Sequence, residues 1–280
     1  GDDPDLPMWM VFNTIANGAS QGMANTPMVQ LQGVDKVVYA LNGILATGTK
    51  NEGSNYGQPV INFISEKVLR MDSQGGEGGE WMGNIAQRND AMGYRSVNYD
   101  YVISSSQVND VAMTVLPNAP IDETTGLPVP TIAVATSGGV SVIKDDGNVL
   151  DDTSSSGVNA GVASVEFVND TLYYGRGGSG GNLYVKTSIG SVSANFSASH
   201  YYRYQAGGYG EVSGVYLKTN DDITVTKNKN DVALFGDTSL VLLEDKTTSS
   251  LVAYATTSYN TGWMHGDIKG AFLSDTDTTN

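Results

Sequence analysis

Val165-Glu-Phe-Val-Asn-Asp-Thr-Leu-Tyr173 decides how the rest of the chain reads. Apolar, polar, aromatic and apolar positions are followed by a two-residue polar turn, Asn-Asp, and a new strand: the pattern of a tight hairpin. Ile61-Asn-Phe-Ile-Ser-Glu-Lys-Val-Leu69 lines up with it, and Val111-Ala-Met-Thr-Val115 and Val215-Tyr-Leu-Lys-Thr219 fit more loosely. Anchored on residues 61, 111, 165 and 215, the intervals are 50, 54 and 50, and a further step of 50 lands on His265.

Between the anchors the strand signals continue. Thr131-Ile-Ala-Val-Ala-Thr136 and Val140-Ser-Val-Ile-Lys144 flank Ser137-Gly138-Gly139, and Asp145-Asp146-Gly147 turns the chain towards Asn148–Leu150. Val232–Phe235, Leu240–Leu243 and Leu251–Thr256 repeat the pattern, as do Leu172–Tyr174 and Leu183–Val185. Helical patterning is poor: Gly83–Met92, the best stretch, carries Asn, Gly and Asp where a helix wants Ala, Leu or Glu. No helix longer than two turns is expected.

The expected fold is therefore all-β. A repeat near 50 residues holding about four short strands is the pattern of a β-propeller blade. Five blades fit, with six possible, if the strand within Met264–Leu273 completes the N-terminal blade and closes the ring; a β-sandwich or open meander is the alternative. Residues 1–7 read as an extension, 8–275 as one domain and 276–280 as the start of a linker or tail. The acidic, proline-broken start and polar end suggest a piece of a longer polypeptide.

Composition narrows the function. The 280 residues carry 30 acidic against 15 basic side chains, a net charge of −15 that repels phosphate, and no basic stripe opposes it. Nucleic acid is not an expected partner. The apolar runs, four or five residues long, are too short to span a membrane as a helix. Without cysteine there is no disulfide, thiolate zinc site or cysteine nucleophile.

Motifs for chemistry are sparse. Gly175-Arg-Gly177-Gly178-Ser-Gly180-Gly181 matches a dinucleotide fingerprint, but the residues after it read as a strand where a helix is needed. With His200 and His265 the only histidines, a three-histidine metal site is impossible and no nucleophile elbow accompanies either. Acidic doublets lack the spacing of a calcium loop. No catalytic residue, metal or cofactor is expected. Two clusters suit a sugar: His200, Tyr201, Tyr202, Arg203, Tyr204 and Gln205, where aromatic faces could stack on a ring, and Glu77, Glu80 and Trp81, two carboxylates beside an indole on a glycine-rich loop. Each has a plainer reading, tyrosines packed between blades and a solvated connection. Pro117–Pro130 holds four of the eight prolines and reads as a long loop projecting from a rim, a contact arm or an ordinary connection.

Val129–Val149, and the ending Gly266-Asp-Ile-Lys-Gly-Ala-Phe-Leu-Ser-Asp275, resemble virion proteins of marine tailed bacteriophages, in which a propeller-like repeat region is often followed by concanavalin-like lectin modules. The resemblance implies a non-enzymatic virion surface protein of tail-fibre or adhesion type, made in the host cytoplasm and assembled with other virion subunits. Its loops would meet host glycans or neighbouring subunits. It brings no catalytic residues. A purely structural connector or capsid decoration is one alternative; a five-bladed glycoside hydrolase with axial carboxylates is another.

Overall fold

The computed structural model describes residues 28, 34–50, 58–71, 79–88, 95–96, 102–123, 125–152, 161–176, 182–203, 224–228, 231–236, 239–244, 251–256 and 271–275. These residues are all-β. Two short 3-10 turns, Ile85–Gln87 and Ile189–Ser191, are the only helical segments among them.

The strands form four antiparallel sheets, each a meander in chain order. The first contains β1 (Val34–Leu41), β2 (Ile44–Lys50), β3 (Gln58–Asn62), β4 (Lys67–Met71), β5 (Gly79–Met82) and β6 (Arg95–Ser96). In the second are β7 (Val108–Thr114), β8 (Thr131–Thr136), β9 (Gly139–Ile143) and β10 (Val149–Asp151). The third holds β11 (Val162–Val168), β12 (Thr171–Arg176), β13 (Asn182–Lys186) and β14 (His200–Arg203). The fourth holds β15 (Thr224–Asn228), β16 (Asp231–Gly236), β17 (Ser239–Glu244), β18 (Leu251–Thr256) and β19 (Ala271–Asp275). Pairing each strand with its sequence neighbour keeps the closed loops short and their entropy cost small.

Turn chemistry sets the registers. Asn42 and Gly43 both have positive φ, 50° and 79°, which suits a two-residue hairpin turn and aligns Leu41 with Ile44. Asn169, at φ 55°, does the same between Val168 and Thr171. Ser137-Gly138 joins β8 to β9 with Thr136 opposite Gly139, and Asp146 accepts the backbone N–H of Asn148 at 3.0 Å to shape the next turn. The glycine-rich segment after Arg176 leads into β13, so Asn182–Lys186 offers no helix N-terminus to a pyrophosphate.

The sheets stack face to face, with β7 against β1 on one side and β11 on the other, and β11 against β15. Alternation along β7 explains both cores. Val111 and Met113 join Ala46, Met71, Ile132 and Val134 between the first and second sheets. Ala112, one residue over, joins Ala133, Ala135, Phe167, Leu172 and Tyr174 between the second and third. Small alanines on one sheet leave room for the large rings of the next, which is how dense packing is reached. Every residue of β8 and β9 is buried, because both faces of that sheet are covered.

Two expectations need correction. Residues 61 and 165 both start hairpins, yet Ile61 lies in the third strand of its sheet and Val165 in the first of its own. First strands begin at residues 34, 108, 162 and 224, so the described units are uneven. The step from 111 to 165 joins equivalent positions, the step from 61 to 111 does not, and Val215–Thr219 and His265 lie outside the described residues. The interruptions are connections of different length, such as the segment between β7 and β8. The last strand also differs: β19 pairs antiparallel with β18, Leu273 opposite Ala253, within the fourth sheet and not within the first. Pairing with the preceding strand closes a far shorter loop than reaching back to the start of the chain.

The proline-rich segment is an ordered arm. Ile121 and Pro128 form a β-bridge, Asp122 N–H donates to Leu127 O at 2.9 Å and Val129 N–H to Pro120 O at 2.8 Å. The Asn42 side chain donates to Pro128 O at 2.7 Å and ties the arm to the first sheet.

Candidate functional site

The described residues that bring several titratable groups together lie where first strands meet. β7 enters its sheet through a bulge between Val108 and Asp110. The extra residue, Asn109, re-aims the strand, and Asp110, back in the ladder opposite Ala135, accepts two backbone N–H groups through its side chain. Oδ1 takes its neighbour Val111 and Oδ2 takes Val165 of β11, each at 2.9 Å. β11 repeats the device: a bulge lies between Val162 and Ser164, and Ser164 Oγ accepts the N–H of Val225 in β15 at 2.9 Å. Asn109 donates to Val162 O at 2.8 Å across the first of these seams.

Burial is the main influence on Asp110 and pushes its carboxyl up to about 6. The two N–H donors oppose the rise, and the nearby Glu166 carboxylate adds to it. Burial, followed by Glu166, also raises the Tyr39 phenol on β1. A carboxyl with a near-neutral pKa beside a second carboxylate is a pattern found in acid–base sites. Here both Asp110 oxygens are committed to main-chain donors, so the geometry favours a clasp between sheets over proton transfer to a substrate.

A second polar cluster joins the loop before β7 to β8, β9 and β10. Ser141 Oγ donates to Asp151 Oδ1 at 2.5 Å and receives the N–H of Ser104 at 2.9 Å. Ser104 Oγ lies 2.9 Å from Thr136 Oγ1. Burial raises the Asp151 carboxyl, and its bond from Ser141 opposes that rise. Ser141 is wholly buried, so this serine–aspartate pair anchors a loop and presents no nucleophile to solvent.

Of the residues expected to hold a sugar, the structure describes Glu80, Trp81 and His200–Arg203. Trp81 is fully buried in β5 among Ile61, Val68 and Met28, and Glu80 beside it is buried and ion-paired with Lys67. The expected glycine-rich loop is, from Gly79 onwards, a core strand; the sequence hid this because the strand is short and glycine precedes it. Glu77 lies outside the described residues, as do Tyr204, Gln205 and His265. His200, Tyr201, Tyr202 and Arg203 form β14, the edge strand of the third sheet, paired with Val185, Tyr184, Leu183 and Asn182. The row Tyr174, Tyr184, Tyr201 runs straight across β12, β13 and β14. Within it Tyr174 stacks on Tyr184 at 5.4 Å and donates to Asp152 at 2.9 Å.

The sequence reading missed Asp110, Glu166 and Tyr39. Aligning Val111 with Val165 places Asp110 and Ser164 in one slot, and that coincidence of two hydrogen-bonding side chains was the available signal. Among the described residues no group of three or more His, Asp or Glu is placed to hold a metal ion, and no helix is long and apolar enough to cross a membrane.

No protein-family model matches the chain, and no curated protein matches it. Among solved structures, a protein of unknown function from Bacteroides caccae is similar over 82% of this chain and 72% of its own, at 10% identity and a TM-score of 0.34.

Proposed function

We propose that the four described sheets are blades of a five-bladed β-propeller, and that the protein is a non-enzymatic surface component of a phage virion that presents loops and edges for contact. One observation carries the fold part of this reading: four meander sheets follow one another in chain order with their first strands side by side. That is the arrangement by which blades surround an axis. The virion assignment rests on the resemblance of residues 129–149 and 266–275. The non-enzymatic assignment is supported at Asp110, whose oxygens are both occupied by backbone donors.

The contact we assign is to a cell-surface glycan along residues 200–205, which begin with β14, the edge strand of the third sheet. A glycan array probed with the whole chain and with Tyr201, Tyr202 and Tyr204 changed to Ala tests it. Binding lost in a variant that keeps its melting temperature supports the site. Binding to no glycan refutes it.

A structural connector is the second reading, and the arm favours it. Ile121 is 58% exposed and Leu127 41% exposed on a hairpin already fixed by its own hydrogen bonds. A preordered apolar tip loses little entropy on docking to a neighbouring subunit.

A further inference from the structure

The turn between β1 and β2 carries chemistry as well as shape. Asn42-Gly43 suits a two-residue hairpin turn, and two features fix its glycine. Gly43 has φ 79°, where a side chain is strained. A Cβ built there would also lie 2.6 Å from Ile64 Cδ1, so Ile64 would have to move. Backbone and packing both favour glycine, and glycine leaves the nitrogen that follows an asparagine amide unshielded. Gly43 is exposed and Asn42 half-buried. Their neighbours Phe63, Ile64 and Pro128 are all among the described residues.

The Asn42 amide has a partner that a carboxylate could not keep. Its Nδ2 donates to Pro128 O at 2.7 Å and so ties the arm to the first sheet. A carboxylate and a backbone carbonyl both only accept. Exchanging the amide NH2 for an anionic oxygen would set two acceptors face to face, and the tie would become a repulsion. The arm is otherwise closed on itself, through Asp122 N–H to Leu127 O and Val129 N–H to Pro120 O. The loss would therefore fall on its attachment, first at Val129 beside Pro128.

We propose that Asn42-Gly43 is a self-modification site whose deamidation unties the arm from the first sheet. The Gly43 nitrogen loses its proton to solvent and attacks Asn42 Cγ. A new N–C bond closes a succinimide ring, the Cγ–Nδ2 bond breaks, and Nδ2 takes a proton from solvent and departs as ammonia. Water then adds to either ring carbonyl and opens the ring, leaving aspartate or isoaspartate at position 42. Water is consumed, ammonia is released and no electrons are exchanged. Both products lack the Nδ2 donor, and isoaspartate also lengthens the backbone of the turn. Under the connector reading, this step limits how long the arm keeps its docking pose. Conversion and release stand without that reading, and the experiment reads those two alone.

The full chain is held in mildly alkaline buffer, both folded and in urea, and residue 42 is followed by peptide mass mapping. The peptide is resolved from the one with Asn17-Gly18, the other Asn-Gly pair of the chain. The expected result is conversion of residue 42 in the folded chain within about tenfold of its rate in urea, since an exposed turn opens readily. Hydrogen exchange at Asp122 and Val129 should run about tenfold faster in the converted chain and in Asn42→Asp than in fresh protein. Slower conversion of the folded chain overturns the site. Unchanged exchange in Asn42→Asp overturns the release. Where that variant does not fold, the converted chain, folded before the reaction, decides the same point.

Discussion

Asp110 Oδ2 accepts the backbone N–H of Val165 at 2.9 Å, a side chain doing between two sheets what a ladder does within one. Its other oxygen holds Val111, so one carboxylate satisfies the main-chain donors of two buried residues. Asp110→Ala leaves both without their acceptor. A loss of about 2–6 kcal/mol in unfolding free energy is expected, from roughly 1–3 kcal/mol per orphaned buried donor. Ser164→Ala removes one acceptor and should cost less. Urea unfolding of the two variants checks the order; equal costs would refute the double role of Asp110.

The same carboxyl sets a pH dependence. Its folded value of about 6 lies above its ordinary 3.8, so between those values the folded chain holds more protons than the unfolded one. Stability at this site is therefore greatest below about 4, falls as pH rises through about 4 to 6, and is flat above. Asp151 is shifted in the same sense. Urea midpoints at pH 5 and pH 7 should show a drop on going to pH 7 that shrinks in Asp110→Asn. An unchanged drop would assign it elsewhere.

Lys144 closes the far side of the same junction. Its ammonium lies 2.8 Å from Gly190 O and 3.4 Å from Ile189 O in the second 3-10 turn, and 3.2 Å from Val192 O just after it. Lys144→Met keeps the stem and deletes the charge. A cost of about 1–2 kcal/mol is expected, in the range of a charged hydrogen bond partly open to water, and hydrogen exchange at residues 189–192 should accelerate. No change in that exchange would count against the latch.

Trp81 behaves as core. Trp81→Ala should cost about 3–5 kcal/mol, and Trp81→Phe much less. Where the Phe variant is folded, any glycan binding by the chain should persist. Binding lost in a Phe variant with unchanged melting temperature would return Trp81 to a ligand site.

Hairpins were legible because turn residues act locally. Ser137-Gly138 and Asn169-Asp170 mark their turns with no help from distant partners, and β8, β9, β12, β13, β16, β17 and β18 fall where alternation and punctuation put them. The spacing of whole sheets was less legible, because connections such as the 115–130 arm change length without altering the sheets they join. Residue roles were least legible. Glu80 looks like a solvent-facing carboxylate until Lys67, on the neighbouring strand, is seen to meet it. Asp110 looks like an ordinary polar residue before an apolar strand until Val165 is seen to need an acceptor.

The seam also has a direction. In both described cases the acceptor belongs to the earlier sheet and the donor to the later one: 110 before 165, and 164 before 225. During synthesis, at about 5–20 residues per second, each receiving group leaves the ribosome several seconds ahead of the N–H it will capture. A nascent sheet therefore never waits with an unmet donor at this position for an acceptor not yet made. It finds the acceptor already in place, and the order of translation becomes the order of assembly.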